Sequence, residues 1–313
     1  SGDDMLKYII KRIILSILTI FVLCTVVFFA IKSIPGDPFS GPEYTDEVRA
    51  ELNALYGFDK PVVEQYFVYM GNLLHGELGI SVYYRGKPVV DIIKSAFPQS
   101  FDLGIRALLV ATFVGVGLGV LAALNRRKPL DYLSIIIAII GISIPSFVVA
   151  SLLQYVFAIV FPIFPVARYT SFAHTILPTI SLALPTIAKF SRFMRTSMLE
   201  VIDSDFVKTA RSKGLKKHQI LFSHEIRNSL LPLLSILGPT TASLLMGSFV
   251  VESIFAVPGL GNYFVESINT QDYSLIMGLT IFYGVFLVTM NFIIDILYGV
   301  VDPRVRLGGN RNG

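Results

Sequence analysis

The sequence predicts an all-α protein that crosses a membrane six times, and three observations carry that prediction. Hydrophobic side chains make up 53% of the 313 residues and charged ones 15%, with a mean hydropathy of +0.67; a soluble domain averages about 25% charged residues. Six stretches lack Asp, Glu, Lys and Arg altogether, at 13–31, 107–124, 132–167, 169–188, 228–251 and 273–294. Each is long enough, at about 1.5 Å per residue, to cross most of a hydrocarbon core of roughly 30 Å. The basic residues also crowd into alternate connections, as positive-inside loops do.

Residues 1–4 precede Met5 and read as a vector-derived scar. The first span lies within 5–34, and its uncharged run is followed by Lys32 and Pro35. That run is longer than the apolar core of about 7–15 residues in a cleaved signal peptide, so the span is expected to stay. Residues 35–98 are expected to form a folded external loop, or cap, because nine acids face five bases between Pro35 and Phe97. Val62, Val63, Tyr66, Phe67 and Met70 recur there at helical spacing. Their apolar face is expected to lie on the membrane surface or the helix ends, with docking of an external partner as the alternative.

The remainder, 99–313, is expected to hold five more spans. The third run, 132–167, is too long for one; a helix to about Ile159 and a turn at Phe161-Pro162-Ile163-Phe164-Pro165 account for it. Pro145, Pro178, Pro185, Pro232 and Pro239 lie in spans three to five, where each frees a carbonyl and permits a kink. Static packing and a path that opens alternately to either side both fit those kinks. Gly115, Gly117 and Gly119 sit inside a span and point to close helix packing rather than a dinucleotide loop. Gln154, Asn291 and Asp295 are costly in lipid and should face protein or water, so Gln154 and Asn291 are candidate pathway residues. Asp295 suits an ion pair near the helix end, and Glu252 is a candidate gate or cap at the outer mouth.

Orientation follows from the bases. Three precede span one, three follow span two, nine lie from Lys189 to Arg227, and Arg304, Arg306 and Arg311 close the chain. With six spans all of these share one side, so both termini are expected to be cytoplasmic.

The connection at about 196–227 therefore faces the cytoplasm. Within it, Ser204 or Asp205 is placed to cap a short helix and Gly214 to end it in the left-handed conformation. Lys208, Arg211 and Lys213 approach the negative end of its dipole. Phe206, Val207 and Ala210 share a face, Leu215 follows the glycine, and small Ala210 and Gly214 leave room for another surface. A solvated basic loop, or a helix lying on anionic headgroups, are the competing readings.

This stretch resembles the EAA-type loop of importer permease subunits in the ATP-binding-cassette (ABC) class, in particular the oligopeptide, dipeptide and nickel permeases. Further motifs agree in order: Lys7-Tyr8-Ile9-Ile10-Lys11-Arg12, Pro35-Gly36-Asp37-Pro38, Gly76-Glu77-Leu78-Gly79-Ile80-Ser81, Arg227-Asn228-Ser229-Leu230-Leu231-Pro232, Glu252 through Pro258-Gly259-Leu260-Gly261, and Asp302-Pro303-Arg304. Lys208 and Thr209 stand where the motif has Glu and its first Ala, while Ala210 and Gly214 keep their places. The resemblance implies the six-helix core of a type I ABC importer permease in the plasma or inner membrane, importing peptides, with nickel or another small solute as the alternative. It implies a coupling helix made of Asp205, Phe206, Val207, Lys208, Thr209, Ala210, Arg211, Gly214 and Leu215. The implied partners are a second homologous permease, two cytoplasmic ATPase subunits that carry ATP and Mg, an external substrate-binding protein and membrane lipid.

The chain's own chemistry is sparse. No G-x-x-x-x-G-K-[ST] loop is present, so no cofactor is expected here and nucleotide hydrolysis is assigned to partners. His75, His174, His218 and His224 are scattered, and His218 and His224 stand six apart rather than at the four-residue spacing of a helical metal pair. Cys24 is alone, which excludes an internal disulfide. A net charge of +4 gives no argument for nucleic acid. An ion-coupled secondary transporter would want buried ionisable groups near mid-membrane and internal repeats, neither of which is evident.

Overall fold

The computed structural model describes residues 2–34 and 45–301. The Pro35-Gly36-Asp37-Pro38 and Asp302-Pro303-Arg304 motifs, the three closing arginines and the side chain of Asp295 lie outside the described residues. The chain opens with α1 (Gly2–Lys32), α2 (Asp46–Tyr56), α3 (Val62–Leu74) and α4 (Val89–Leu124). Next come α5 (Pro129–Ser143), α6 (Ser146–Gln154) with a π-helical turn at Tyr155–Val160, α7 (Phe172–Ile202) and the short α8 (Asp205–Ser212). Then follow α9 (Lys217–Ile220), a second π-helical turn at Leu221–Ile226, α10 (Arg227–Leu245), α11 (Phe249–Ile254), α12 (Leu260–Asn269) and α13 (Tyr273–Val301).

Three stretches, Tyr8–Lys32, Val89–Leu124 and Tyr273–Ile294, are unbroken helices long and apolar enough to span a membrane. Two bent helix pairs are long and apolar enough when each is taken together. In the third expected span the helix breaks rather than kinks: α5 meets the α6 segment at 104°. Ile144, driven out of the helical region by the proline that follows it, is extended at φ −92° and ψ 123°. The fifth expected span bends by 63° between Lys217–Leu234 and Ile236–Ile254. The fourth expected span, 169–188, falls in α7, which is less apolar than α1, α4 and α13, is not among the helices long and apolar enough to cross a membrane, and packs against α5, α6 and α10, so that among the described residues up to five of the six expected spans are matched. The expected cap boundary at 98 falls inside a helix, because α4 starts at Val89 and runs on through Pro98.

The chain divides into two compact units. The first comprises residues up to Gln99 together with Gly259–Ile293. In it the cap helix α3 lies on α1: Tyr66, Tyr69, Met70 and Leu73 pack against Cys24, Phe28, Met277 and Ile281. Tyr66 also meets the Thr25 hydroxyl at 2.8 Å and stacks on Phe29. The cap's apolar face thus lies on the helices, but it is shifted from the expected one, since Val62, Val63 and Phe67 are exposed. The strap after Gly79 is fastened to the start of α13. Buried Asp272 accepts hydrogen bonds from the Ser81 hydroxyl and from the Tyr83 and Leu275 backbone N–H groups. Tyr83 and Tyr84 donate their phenols to Glu266, and the hydrogen bond to that carboxylate raises the Tyr83 phenol above its usual range.

The second unit, Ser100–Pro258 with residues 294–301, is built around α7. The approach of α4 to α7 depends on small residues: a methyl group at Gly119 would lie 2.6 Å from Met194 Cβ, and one at Gly115 would lie 2.8 Å from Phe190 Cβ. Two of the three expected packing glycines therefore let α4 sit against α7, in the small-xxx-small manner of membrane helices. Gly117 faces open space.

Asp272→Ala should leave Ser81, Tyr83 and Leu275 without their acceptor and cost roughly 2–4 kcal/mol, the sum of a lost helix cap and orphaned buried donors. The unfolding midpoint of the purified protein in mild detergent reads this as a clear drop, with Asp272→Asn retaining part of the stability.

Candidate coupling site

The site is α8 and the turns that hold it. Its entry residue Ser204 is extended, at φ −72° and ψ 153°, as an N-cap should be, but its hydroxyl does not cap. It donates instead to the Val201 carbonyl at 2.6 Å, tying the helix back to the end of α7. Asp205 occupies the first turn, where a negative charge suits the dipole. Lys208 donates to Asp205 at 2.9 Å; this hydrogen bond, and then the lysine's charge, hold the carboxyl below the usual carboxylate range. Both groups are exposed, so the pair orients side chains more than it stabilises the helix.

The other end is locked as the sequence implied. Gly214 has φ +75°, its N–H donates to the Arg211 carbonyl at 3.0 Å, and the Leu215 N–H reaches back to the Ala210 carbonyl at 3.4 Å. These are the two bonds of a Schellman close, which requires a residue content in the left-handed region.

The expected apolar face splits in two. Val207 and Ala210 are 0% and 5% exposed and pack with Ile220 and Val201 of the chain itself. Phe206 and Leu215 are 47% and 39% exposed. Ala210 is small because its own chain closes over it, which corrects the expectation that it leaves room for a partner. Phe206 and Leu215 are the apolar groups offered outward. Thr209 turns its hydroxyl back to the Asp205 carbonyl at 2.9 Å.

Gln154 Nε2 donates to the Val166 and Ile254 carbonyls at 2.8 and 2.9 Å, so its amide is committed to holding α6 and α11. Glu252 is fully buried in the first turn of α11, against Gly247. Asn291 is half-buried on α13.

Three acidic groups of the second unit escaped the sequence reading. Asp131, 2% exposed, receives Arg195 Nε and Nη2 at 2.6 and 2.9 Å and the Arg127 N–H at 2.9 Å, pinning α5 to α7. Asp102 accepts from Arg106 and from the Tyr169 hydroxyl at 2.8 and 2.7 Å. Glu225, buried in the second π-helical turn, accepts from Arg211. Asp131 had one visible signal, its place in the first turn after Pro129; its partner, 64 residues on, had none. Among the described residues no cluster of His, Cys, Asp and Glu could hold a metal ion.

The geometry can be set beside known proteins. Residues 115–307 match the family model described as the binding-protein-dependent transport system inner membrane component, and residues 5–104 match its N-terminal companion. The chain belongs to this family. The dipeptide transport system permease protein of Bacillus subtilis is 44% identical over 304 residues, covering 97% of this chain and 99% of that one. The oligopeptide transport system permease protein of Salmonella typhimurium is 42% identical over 305 residues, covering 96% and 100%. A crystal structure of an amino acid ABC transporter with histidines superposes with a TM-score of 0.51 at 17% identity, covering 69% of this chain and 94% of that one, a likeness of fold alone. The resemblance drawn from the loop motifs is borne out, and this family member is a multi-pass membrane permease subunit.

Val207→Asp should place a carboxylate in the cluster with Ile220 and Val201 and cost upwards of about 3 kcal/mol locally. Limited proteolysis between residues 203 and 217 should then speed up sharply, whereas Phe206→Ala, which removes only an outward group, should leave the cleavage rate as it was.

Proposed function

We propose that this chain is one of two permease subunits of an ATP-driven importer of peptides, and that α8 is the coupling helix through which it is driven. The observation that carries this reading is near end-to-end identity above 40% with dipeptide and oligopeptide permeases, joined to a short helix rigidly held at both ends with Phe206 and Leu215 presented outward. In this reading both termini and α8 are cytoplasmic, and an external binding protein delivers the peptide to the opposite face.

The energetic logic is a shift of population. Two ATPase subunits close on ATP, and because α8 is seated in them, their closed state favours one conformation of the spans over the other. The ligand must bind the two states differently for this to work, which requires a stiff linkage between ATPase and span. ATP and Mg reside on the ATPase subunits. This chain supplies the pathway and the docking knob.

Phe206→Asp tests the docking directly. Exchanging a ring that docking would bury for a carboxylate should cost about 2–3 kcal/mol of docking energy, a loss of roughly 30- to 150-fold in affinity for the ATPase subunits. Co-purification and ATP-dependent peptide uptake in proteoliposomes should both fall. Uptake that proceeds without ATP, or that is indifferent to Phe206→Asp, sinks the reading.

A further inference from the structure

A coupling helix is useful only if a push on it is carried into the spans, and one route for that push is visible residue by residue. Arg211, on the last turn of α8, donates from Nη2 to Glu225 Oε1 at 3.2 Å. The Glu225 side chain is only 6% exposed, although it lies in a strongly basic segment close to the protein surface. A carboxylate buried to that degree is costly unless a cation meets it, and Arg211 does so. Glu225 sits in the π-helical turn Leu221–Ile226, at the base of α10. Such turns interrupt the regular ladder and are frequent at functional sites.

From Glu225 the contacts continue inward. Its backbone carbonyl accepts the Ser229 hydroxyl at 2.7 Å, and the Ser229 carbonyl accepts the Ser197 hydroxyl of α7 at 3.0 Å. Ser229 Oγ also lies 3.6 Å from Met198 Sδ. Ser229 is fully buried, so these are contacts of a packed core. The path therefore runs from α8 through Arg211 and Glu225 to α10, and from α10 to α7.

We propose that Arg211 and Glu225 are a positioning pair, a strut that makes α8 and the base of α10 move as one body and so transmits the ATPase movement to α7 and α10. The strut is not what keeps α8 folded. The cluster of Val207, Ala210, Ile220 and Val201 and the glycine close do that. Neutralising the pair therefore leaves the knob in place but loosens its grip on the span. This inference rests on the coupling role proposed above.

The test uses the whole importer in proteoliposomes, the second permease and both ATPases included. ATP-dependent peptide uptake by the unaltered complex is measured first, and its absence overturns the importer reading, whatever the strut does. Given uptake, the quantity read is peptide imported per ATP hydrolysed. Arg211→Gln and Glu225→Gln should each lower that ratio by about tenfold, an ordinary size for coupling between sites, and Glu225→Gln, at a residue outside α8, should keep ATPase association. The double variant should be no worse than either single one, because the two residues act through each other. Unchanged ratios in the single variants, or losses that add in the double variant, overturn the strut. Where Glu225→Gln fails to assemble, Arg211→Lys and Arg211→Gln decide alone. Lysine keeping the ratio and glutamine losing it is the expected result, and equal ratios for the two are the overturning one.

Discussion

A chain surrounded by hydrocarbon must satisfy its own backbone, and that requirement governs where this protein is regular and where it departs from regularity. Long helices meet it by their internal ladders, as α1, α4 and α13 do. Departures are tolerated only where another part of the protein supplies the missing partner. After α6 the chain leaves the helix at Phe161, and the exposed peptide groups of that region are taken up locally: the Val166 and Ile254 carbonyls accept from Gln154, and the Arg168 N–H donates to the Phe255 carbonyl. Gln154, read from sequence as a polar residue in need of company, is the group that makes the irregular stretch affordable.

Uncharged runs locate spans because a charge in lipid is expensive, so the all-α, multi-span class was legible from composition and spacing. The same rule hid what the charges do when they are paired. The charges before 107 led the second span to be placed late, yet α4 is already helical from Val89, and Asp102 is accommodated by Arg106 and Tyr169. Asp131 and Arg195 neutralise each other across 64 residues, and Ser81 and Asp272 meet across 191. No local pattern encodes such pairs, since each partner looks ordinary in its own neighbourhood. Pro145 was legible as a disturbance but not as a right-angled break. A proline specifies a missing donor and a steric conflict, and the packing around it decides how far the chain turns.

At α8 the local signals were strong and the ambiguity lay in direction. Acid at the start, base at the end and glycine beyond it specify a short helix of known length, and the φ of Gly214 is what that reading required. An apolar stripe on so short a helix has two possible clients, the chain itself and a partner. Periodicity shows that Phe206, Val207 and Ala210 are apolar and adjacent, but not which of them turns inward. Size offers a clue in retrospect: alanine and valine fit the tight contact with Ile220 and Val201, whereas the larger ring of Phe206 is left outside.

That division explains how a movement could travel. A displacement applied at one end of a mechanical chain is absorbed by its softest element, so a knob on a loose loop would transmit nothing. Here α8 is restrained by a glycine close, a buried apolar cluster and an ion pair with a buried carboxylate. The helices it leads to carry Pro178 and Pro185 in α7 and Pro232 and Pro239 in α10, each of which removes a backbone hydrogen bond and lowers the resistance to bending. Compliance is thus placed in the spans and stiffness in the loop. In the proposed mechanism that order matters, because work done on α8 is then spent on bending the proline-bearing helices, which is where a change of access would have to occur.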